Sequence, residues 1–303
     1  MNILITGGMG HIGSLLINKL SSLDKIKKIV IIDNFSSERY ISFINLKNRK
    51  KIIFFDENLI NLDVTKIKIK IDCIIHLAST TNAEKSFSNQ EKVLDNNVKC
   101  TNKILSIAKK NTKFLFASST SVYGNQLKII NSKNNQKNIS PQSPYAYSKI
   151  LCENVIKKKS KNYCIMRFGT IFGMSDGMRF HTAINKFCYQ AAMNKEITIW
   201  KKFYKKKRPY LDLNDCVRSI IFYIFNNSIK NETLDVVTVN LKVIDIIKKI
   251  EKIKTIKKKF VNTKILNQLS YEVHSDRLKN LNFKFKGDLF LSIYKTIRKL
   301  NLG

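Results

Sequence analysis

The chain has 303 residues, 44% of them hydrophobic and 25% charged, which is length and apolar content enough for one large domain or two smaller ones with a real core. Its longest apolar runs, such as Ser219–Phe225, fall far short of the roughly 20 residues a membrane-spanning helix needs, which excludes a membrane span. The net charge of +33 invites an anionic partner, but the lysines are spread along the chain and rise together with Ile and Asn, the residues of A/T-rich codons, so they read as a solvated surface and nucleic acid is not the expected partner.

In chain order, Asn2–Thr6 reads as a buried strand running into a glycine-rich turn, followed by a helix over Ile12–Leu20. Strands follow at Lys28–Asp33, Lys51–Phe55, Ile71–Leu77, Lys113–Ser118 and Tyr163–Phe168, with helices between them at Ser36–Leu46, Val93–Lys109 and Tyr145–Lys157. The stretch Gly124–Ser143 reads as a loop. Strands alternating with helices predict an α/β fold with a doubly wound parallel sheet over residues 1–169. Past Gly169 the pattern loosens. Helices at Met178–Met193, Asn214–Phe225, Val243–Ile253 and Asp288–Leu300 alternate with strand-like runs at Ile197–Trp200, Thr233–Val239 and Lys258–Val261. Residues 170–303 are therefore expected to form a smaller C-terminal α/β substrate-binding region, some of whose segments return to the main sheet. The N-terminus enters its first strand with no basic run before it and is read as carrying no targeting peptide. Six cysteines without a Cys-x-x-Cys pair fit buried, reduced thiols in a cytoplasmic protein, and the four histidines show no metal-ligand spacing, so no metal is expected.

Chemistry concentrates in three places. Gly7-x-x-Gly10-x-x-Gly13 sits between a strand and a helix, where glycines let backbone amides approach a pyrophosphate at the helix N-terminus. Asp33, at the end of the next strand, can accept hydrogen bonds from ribose hydroxyls and repel a 2′-phosphate, which favours NAD over NADP, although Arg39 is near enough to weaken that preference. Tyr145 and Lys149 are four residues apart at a helix start that is flanked by Pro141 and Pro144, so phenol and ammonium share one face and the ammonium favours the phenolate, a general base for an alcohol. Ser119 ends the strand that precedes this helix, at the ligand crevice of a parallel sheet, where it can bond the same substrate oxygen.

These motifs occur together with Asp72-x-x-x-His-Leu-Ala78, Ser118-Ser-x-x-Val-Tyr-Gly124, Arg167-Phe-Gly-x-x-Phe-Gly173 and Arg208-Pro-Tyr-x-x-x-x-Asp215. The ordered set covers nearly the whole chain and resembles the extended short-chain dehydrogenase/reductase family, the nucleotide-sugar epimerase and dehydratase group with a Rossmann-type fold. The resemblance implies that Tyr145 is the base, Lys149 its electrostatic partner and a ligand of the nicotinamide ribose, with both at the cofactor, and Ser119 the substrate hydrogen-bond donor. It implies a dinucleotide held along Gly7, Gly10, His11, Ile12, Gly13, Asp33, Asn34, Leu77, Ala78, Asn96 and Ser118, with Asn58 and Leu59 beside the adenine, where this chain has Asn in place of the usual Asp. It implies that Arg208 pairs with the nucleotide diphosphate and that Thr170, Arg179, Phe180 and His181 border the sugar.

Within that group the 4,6-dehydratases follow the Ser/Thr equivalent to Ser119 with Asp-Glu, whereas here Thr120-Ser121 follow, so water elimination lacks its acid and base and redox-only chemistry is favoured. Trp200 reads as packing more than as a platform for a sugar. The expected activity is NAD-dependent epimerisation of a nucleotide-diphosphate sugar, inverting C4 of a UDP-hexose in a homodimer. The rivals are a nucleotide-sugar keto-reductase of the same fold and a catalytically lapsed nucleic-acid-binding or scaffold protein.

Overall fold

The computed structural model describes residues 1–81, 85–87, 89–124, 126, 129–262 and 270–301. In chain order its elements are β1 (Asn2–Thr6), α1 (His11–Ser21), β2 (Lys28–Asp33), α2 (Tyr40–Ile44), β3 (Ile52–Asp56), β4 (Cys73–His76), α3 (Gln90–Leu105), β5 (Lys113–Ser119), α4 (Pro144–Lys159), β6 (Tyr163–Phe168) and β7 (Thr170–Phe172). They continue as α5 (Ala183–Ala192), β8 (Ile197–Trp200), β9 (Lys207–Asp212), α6 (Leu213–Phe225), β10 (Glu232–Val236), β11 (Val239–Lys242), α7 (Val243–Glu251), β12 (Lys258–Val261), α8 (Asp276–Asn280) and α9 (Leu289–Leu300).

Seven parallel strands form the main sheet in the order β10-β6-β5-β4-β1-β2-β3. Successive residues of a strand face opposite sides, so the continuous apolar runs supply two cores. Ile3, Ile5, Ile29, Ile31, Cys73 and Ile75 face one side, where Leu16, Ile17 and Leu20 of α1 and Cys216, Val217 and Ile220 of α6 cover them. Leu4, Val30, Ile32, Ile74, Phe114 and Phe116 face the other, under Cys100 and Ile104 of α3 and Cys152 and Ile156 of α4. This is the Rossmann-type α/β sheet the alternating pattern predicts. A third core gathers α5, α7, α9, β8 and β9 beyond the sheet. All six cysteines are buried as free thiols, and among the described residues no helix is long and apolar enough to cross a membrane.

Four elements differ from their sequence expectation, each for a visible reason. The helix expected over 36–46 shrinks to α2 because Phe35 (φ 48°) and Glu38 (φ 55°) take left-handed backbone that a helix cannot include. The helix expected from Met178 begins at Ala183, since the backbone before it is extended at Thr182 (ψ 144°) and the Arg179 carbonyl is held by the Asn185 side chain. The run Thr233–Val239 divides: β10 joins the main sheet beside β6, while β11 leaves it to pair antiparallel with β9. With β7, these two make a three-stranded sheet that the short, mixed stretches around residues 170, 207 and 240 did not announce.

Candidate active site

Strand order reverses at β1, whose neighbours are β4 on one side and β2 on the other, so the crevice at the carboxyl ends of β1 and β4 is the expected ligand position. The glycine turn lies there. Gly7 has φ 67°, and a Cβ on it would stand 2.7 Å from the Ala78 nitrogen, so only glycine permits this approach of the two strand ends. A Cβ on Gly13 would stand 2.4 Å from the Gly8 oxygen, so the third glycine lets α1 close on the turn. Gly10 caps α1, which has neither a side-chain cap nor an acidic residue in its first turn, and the amide groups of that turn are therefore left for a ligand.

Asp33 ends β2 with both carboxylate oxygens engaged: Oδ2 accepts from Met9 N and Oδ1 from Phe35 N, each at 2.9 Å. Burial pushes its carboxyl up; these backbone donors and Arg39 pull it back. Leu77 and Ala78 follow β4, bonded to the Thr6 carbonyl and hydroxyl at 3.1 Å each. His11 and Ile12 both line the crevice; the His11 ring donates to the Gly173 carbonyl at 2.9 Å, its pKa lowered to about 3 by burial and then by Arg179.

The catalytic candidates come from β5 and α4. Ser143 caps α4 by accepting from Ala146 N at 3.1 Å, and Pro144 opens it with a φ already suited to a helix. Tyr145 and Lys149 then share the face toward the end of β5. The Lys149 ammonium donates to the Ala117 carbonyl at 2.8 Å and lies 5.6 Å from the Tyr145 ring centroid. The Tyr145 phenol is hydrogen-bonded to Ser119, whose Oγ also accepts from Ser121 N at 3.1 Å. Burial raises the Tyr145 pKa, against the opposing pull of Arg179 and the Ser119 bond. Burial also lowers that of Lys149 to about 8, with Cys152 and Glu153 opposing and Arg179 adding to the fall. In this arrangement Arg179, more than Lys149, is the cation that acts on the phenol.

A cavity of about 290 Å³ opens from these groups, lined by Ser119, Tyr145 and Lys149 with Ile12, Thr170, Arg179, His181 and Arg208. Among the described residues no carboxylate lines it. Ser121 Oγ, Thr182 Oγ1, Arg179 Nε and Arg208 Nη1 on its wall are buried without a hydrogen-bond partner. Buried donors left unpaired are costly, so this wall is prepared for a polar, negatively charged ligand. A larger hollow of about 710 Å³ between α6 and α9 contains none of these groups, and its Asp215 is already held by Arg218, Thr238 and the backbone of Lys286 and Gly287.

Several expected residues stand elsewhere. Phe180 is 42% exposed and packs its ring on Tyr189 at 5.3 Å instead of on the cavity, because the turn that carries Arg179 inward points its neighbour outward. Ser118 donates to Glu153 Oε1 at 2.6 Å and is occupied by that bond, although it remains part of the wall. The exposed Asn58 accepts from Ile60 N at 3.0 Å within its own turn, and Leu59 is buried in the core. Asn34, also exposed, accepts from Ser36 N at 3.2 Å. Asn96 is half-buried and bonds Thr80 Oγ1 at 3.2 Å, but its neighbour Asn97 does the tying: it bonds both backbone groups of Thr80 and donates to Ser148 Oγ of α4 at 2.9 Å. The spacing Val93–Asn97–Thr101, one buried face of α3, carried that signal. Trp200 lines the cavity and also meets Phe203 edge-on at 6.2 Å. Tyr271, which the motifs did not include, joins the wall by bonding Thr120 Oγ1 at 3.3 Å.

The chain is 28% identical to an uncharacterized UDP-glucose epimerase of Bacillus subtilis over 78% of its length and 76% of that protein's. It is 31% identical to a dTDP-D-glucose 4,6-dehydratase of Dictyostelium discoideum over 76% of its own length, but spans only 56% of that protein. Its fold superposes on the crystal structure of a UDP-glucuronic acid 4-epimerase from Bacillus cereus with a TM-score of 0.88 at 24% identity, covering 99% of this chain and 100% of the other. The profile of the NAD dependent epimerase/dehydratase family matches residues 3–237. The chain is a member of that NAD-dependent enzyme family.

Proposed function

We propose that the protein is a nucleotide-sugar 4-epimerase acting on a UDP-hexose. One observation carries the reading: the cavity beside the glycine turn joins Ser119, Tyr145 and Lys149 to a wall that, among the described residues, has cations and hydroxyls but no carboxylate. Elimination of water by the family's dehydratases uses a carboxylate acid and base, and the described residues of this wall supply neither. The glycine turn fits NAD, since close backbone approaches and uncapped amides are what a dinucleotide diphosphate requires. Gly7, Gly10, Gly13 and Ile12 would hold it, with Asp33 at the ribose and Leu77 and Ala78 along its path. Bound there, NAD supplies a reversible hydride acceptor.

The residues of the chain supply the proton chemistry. Ser119 and Tyr145 converge on one substrate oxygen, the hydroxyl at C4. Tyr145 as phenolate takes its proton while Ser119 donates a hydrogen bond to the same oxygen, and the nearby cations of Arg179 and Lys149 hold the phenolate charge. The same Tyr145 returns the proton to that oxygen after the sugar has turned to present its other face. Arg208, whose Nη1 is unpaired and whose guanidinium lies 5.8 Å over the Tyr271 ring, is placed to hold the diphosphate of the substrate and so anchor the sugar while it turns. The relatives named above for UDP-glucose and UDP-glucuronic acid support a uridine nucleotide.

The test is conversion of UDP-glucose and UDP-glucuronic acid to their C4 epimers by purified protein, followed by chromatography with nicotinamide absorbance monitored throughout. Epimer formation with no net change in reduced nicotinamide is expected. Stoichiometric consumption of reduced nicotinamide would replace this reading with a keto-reductase.

A further inference from the structure

Residues 173–177 ride on the glycine turn. The His11 ring donates to the Gly173 carbonyl at 2.9 Å, Ser175 Oγ to the His11 carbonyl at 2.8 Å, and Gly177 N to Ser14 Oγ at 3.1 Å. A Cβ on Gly177 would stand 2.4 Å from the Gly10 oxygen, so the two backbones are in direct contact. Two residues further on, Arg179 enters the cavity, and Asn185 locks its backbone: Asn185 donates to the Arg179 carbonyl at 2.9 Å and accepts from Gly173 N at 3.1 Å. From the other side, Arg39 Nη1 lies 3.9 Å from where a Cβ on Gly10 would be.

Arg39 thus stands at the glycine turn, and Arg179 lines the cavity together with His11 and Ile12 of the first turn of α1. Arg39 has Asp33 as a countercharge. Among the described residues no carboxylate acts on Arg179: its titratable neighbours are the Tyr145 phenol and Arg39, and its Nε is buried without a hydrogen-bond partner. Its charge also falls on His11 and Lys149, both of which it disfavours as cations. Burying a cation among cations costs stability unless an anion arrives. The adjacent end of α1 has neither side-chain cap nor acidic residue, so its amides face the same vacancy of charge.

We propose that Arg179 is a further dinucleotide-binding residue, which with Arg39 clamps the cofactor diphosphate against the N-terminus of α1 from the substrate side. The inference rests on NAD occupying the glycine turn. It gives the segment 173–179 a role: the part of the chain that borders the substrate also closes over the cofactor, which favours its retention through many turnovers.

The test is calorimetric titration of cofactor-stripped wild type, Arg179→Met, Arg179→Lys and Arg39→Met with NAD, ADP-ribose, adenosine and UDP. A lost charge-assisted bond to a phosphate predicts NAD and ADP-ribose binding about 10- to 100-fold weaker in Arg179→Met and in Arg39→Met, with Arg179→Lys recovering part of it. Adenosine and UDP affinities should hold within about twofold, since neither ligand places a phosphate at the turn. Stripped Arg179→Met should melt no lower than stripped wild type, because a cation has left a cationic cluster, while the rise in melting temperature on adding NAD shrinks. Unchanged NAD and ADP-ribose affinity in both Met variants overturns the clamp, as does a loss confined to UDP, which would assign Arg179 to the substrate. Either result leaves epimerase activity of the wild type, and with it the proposed function, untouched.

Discussion

Tyr145 and Lys149 face opposite demands at neutral pH. In the proposed reaction the phenol must be ionised to accept a proton, yet burial raises its pKa; the ammonium must stay charged, yet burial lowers its pKa to about 8. Activity should therefore fall on the alkaline side near pH 8 as Lys149 loses its proton. In Lys149→Arg, which cannot deprotonate in this range, that alkaline limb should vanish from the kcat/KM profile even though the absolute rate is lower. The linked stability has a definite sign. The folded pKa of Lys149 lies below its unfolded value of 10.5, so the unfolded chain binds more protons between pH 8 and 10.5, and this group's cost to stability is relieved as pH rises through that window. Replacing Tyr145 by Phe, or Ser119 by Ala, should cut kcat by about 10²- to 10⁴-fold while bound NAD is retained, as measured by release from denatured protein.

At the scale of elements, α4 is the part that turns sequence into chemistry. One face carries Tyr145, Lys149 and Glu153, three positions at helical spacing. The first two meet the cavity and the third anchors the helix. Glu153 accepts from Ser118 Oγ at 2.6 Å and from Arg167 of β6 at 2.9 and 2.6 Å, in a fully buried fork. Arg167 continues to Tyr123 at 3.0 Å and the Asn135 carbonyl at 2.7 Å, and Tyr123 donates to Asp235 of β10. This network fixes α4 against three strands. Glu153→Gln leaves a buried guanidinium without its countercharge and should cost about 3–5 kcal/mol in denaturant unfolding, whereas Glu153→Met with Arg167→Met should recover much of that loss. Removing the cap with Ser143→Ala should cost about 1 kcal/mol.

For the whole molecule, acid stability depends on a few buried groups more than on the +33 surface. His11 and His76 have pKa values lowered from 6.5 to about 3, in both cases by burial first. His76 is held between Thr6 Oγ1 at 2.7 Å and Thr101 Oγ1 at 3.1 Å, joining β1, β4 and α3. The unfolded chain binds more protons at both rings between pH 3 and 6.5, so each should withdraw about 1.4 kcal/mol of stability per pH unit as pH falls through that window. Asp235, raised to about 6 by burial, acts with the opposite sign between 6 and its unfolded value of 3.8, gaining stability as pH falls. These three groups together leave a net fall of about 1.4 kcal/mol per unit in the shared range, which the likewise raised carboxyls of Asp33 and Asp212 reduce. His76→Asn should flatten the acid limb of a melting-temperature curve, and Asp235→Asn should steepen it.

The sequence by itself determined the sheet, the glycine turn and the pair on α4. Continuous apolar runs can be satisfied only by a strand buried on both faces, and a glycine spacing or an i, i+4 pair is a local property that needs no partner to be read. Residues whose role depends on a distant neighbour were decided by the tertiary structure. Asn97 differs from Asn96 only in facing α4, and Phe180 leaves the cavity that Arg179 enters because one turn of chain points them apart. The division of 233–239 between two sheets follows from what lies beside each half, β6 for one and β9 for the other. The charge on Arg179 is visible in the sequence, but only the packing of Gly177 on Gly10 brings it to the glycine turn, since contact across more than 160 positions of chain is a product of the fold and leaves no local pattern.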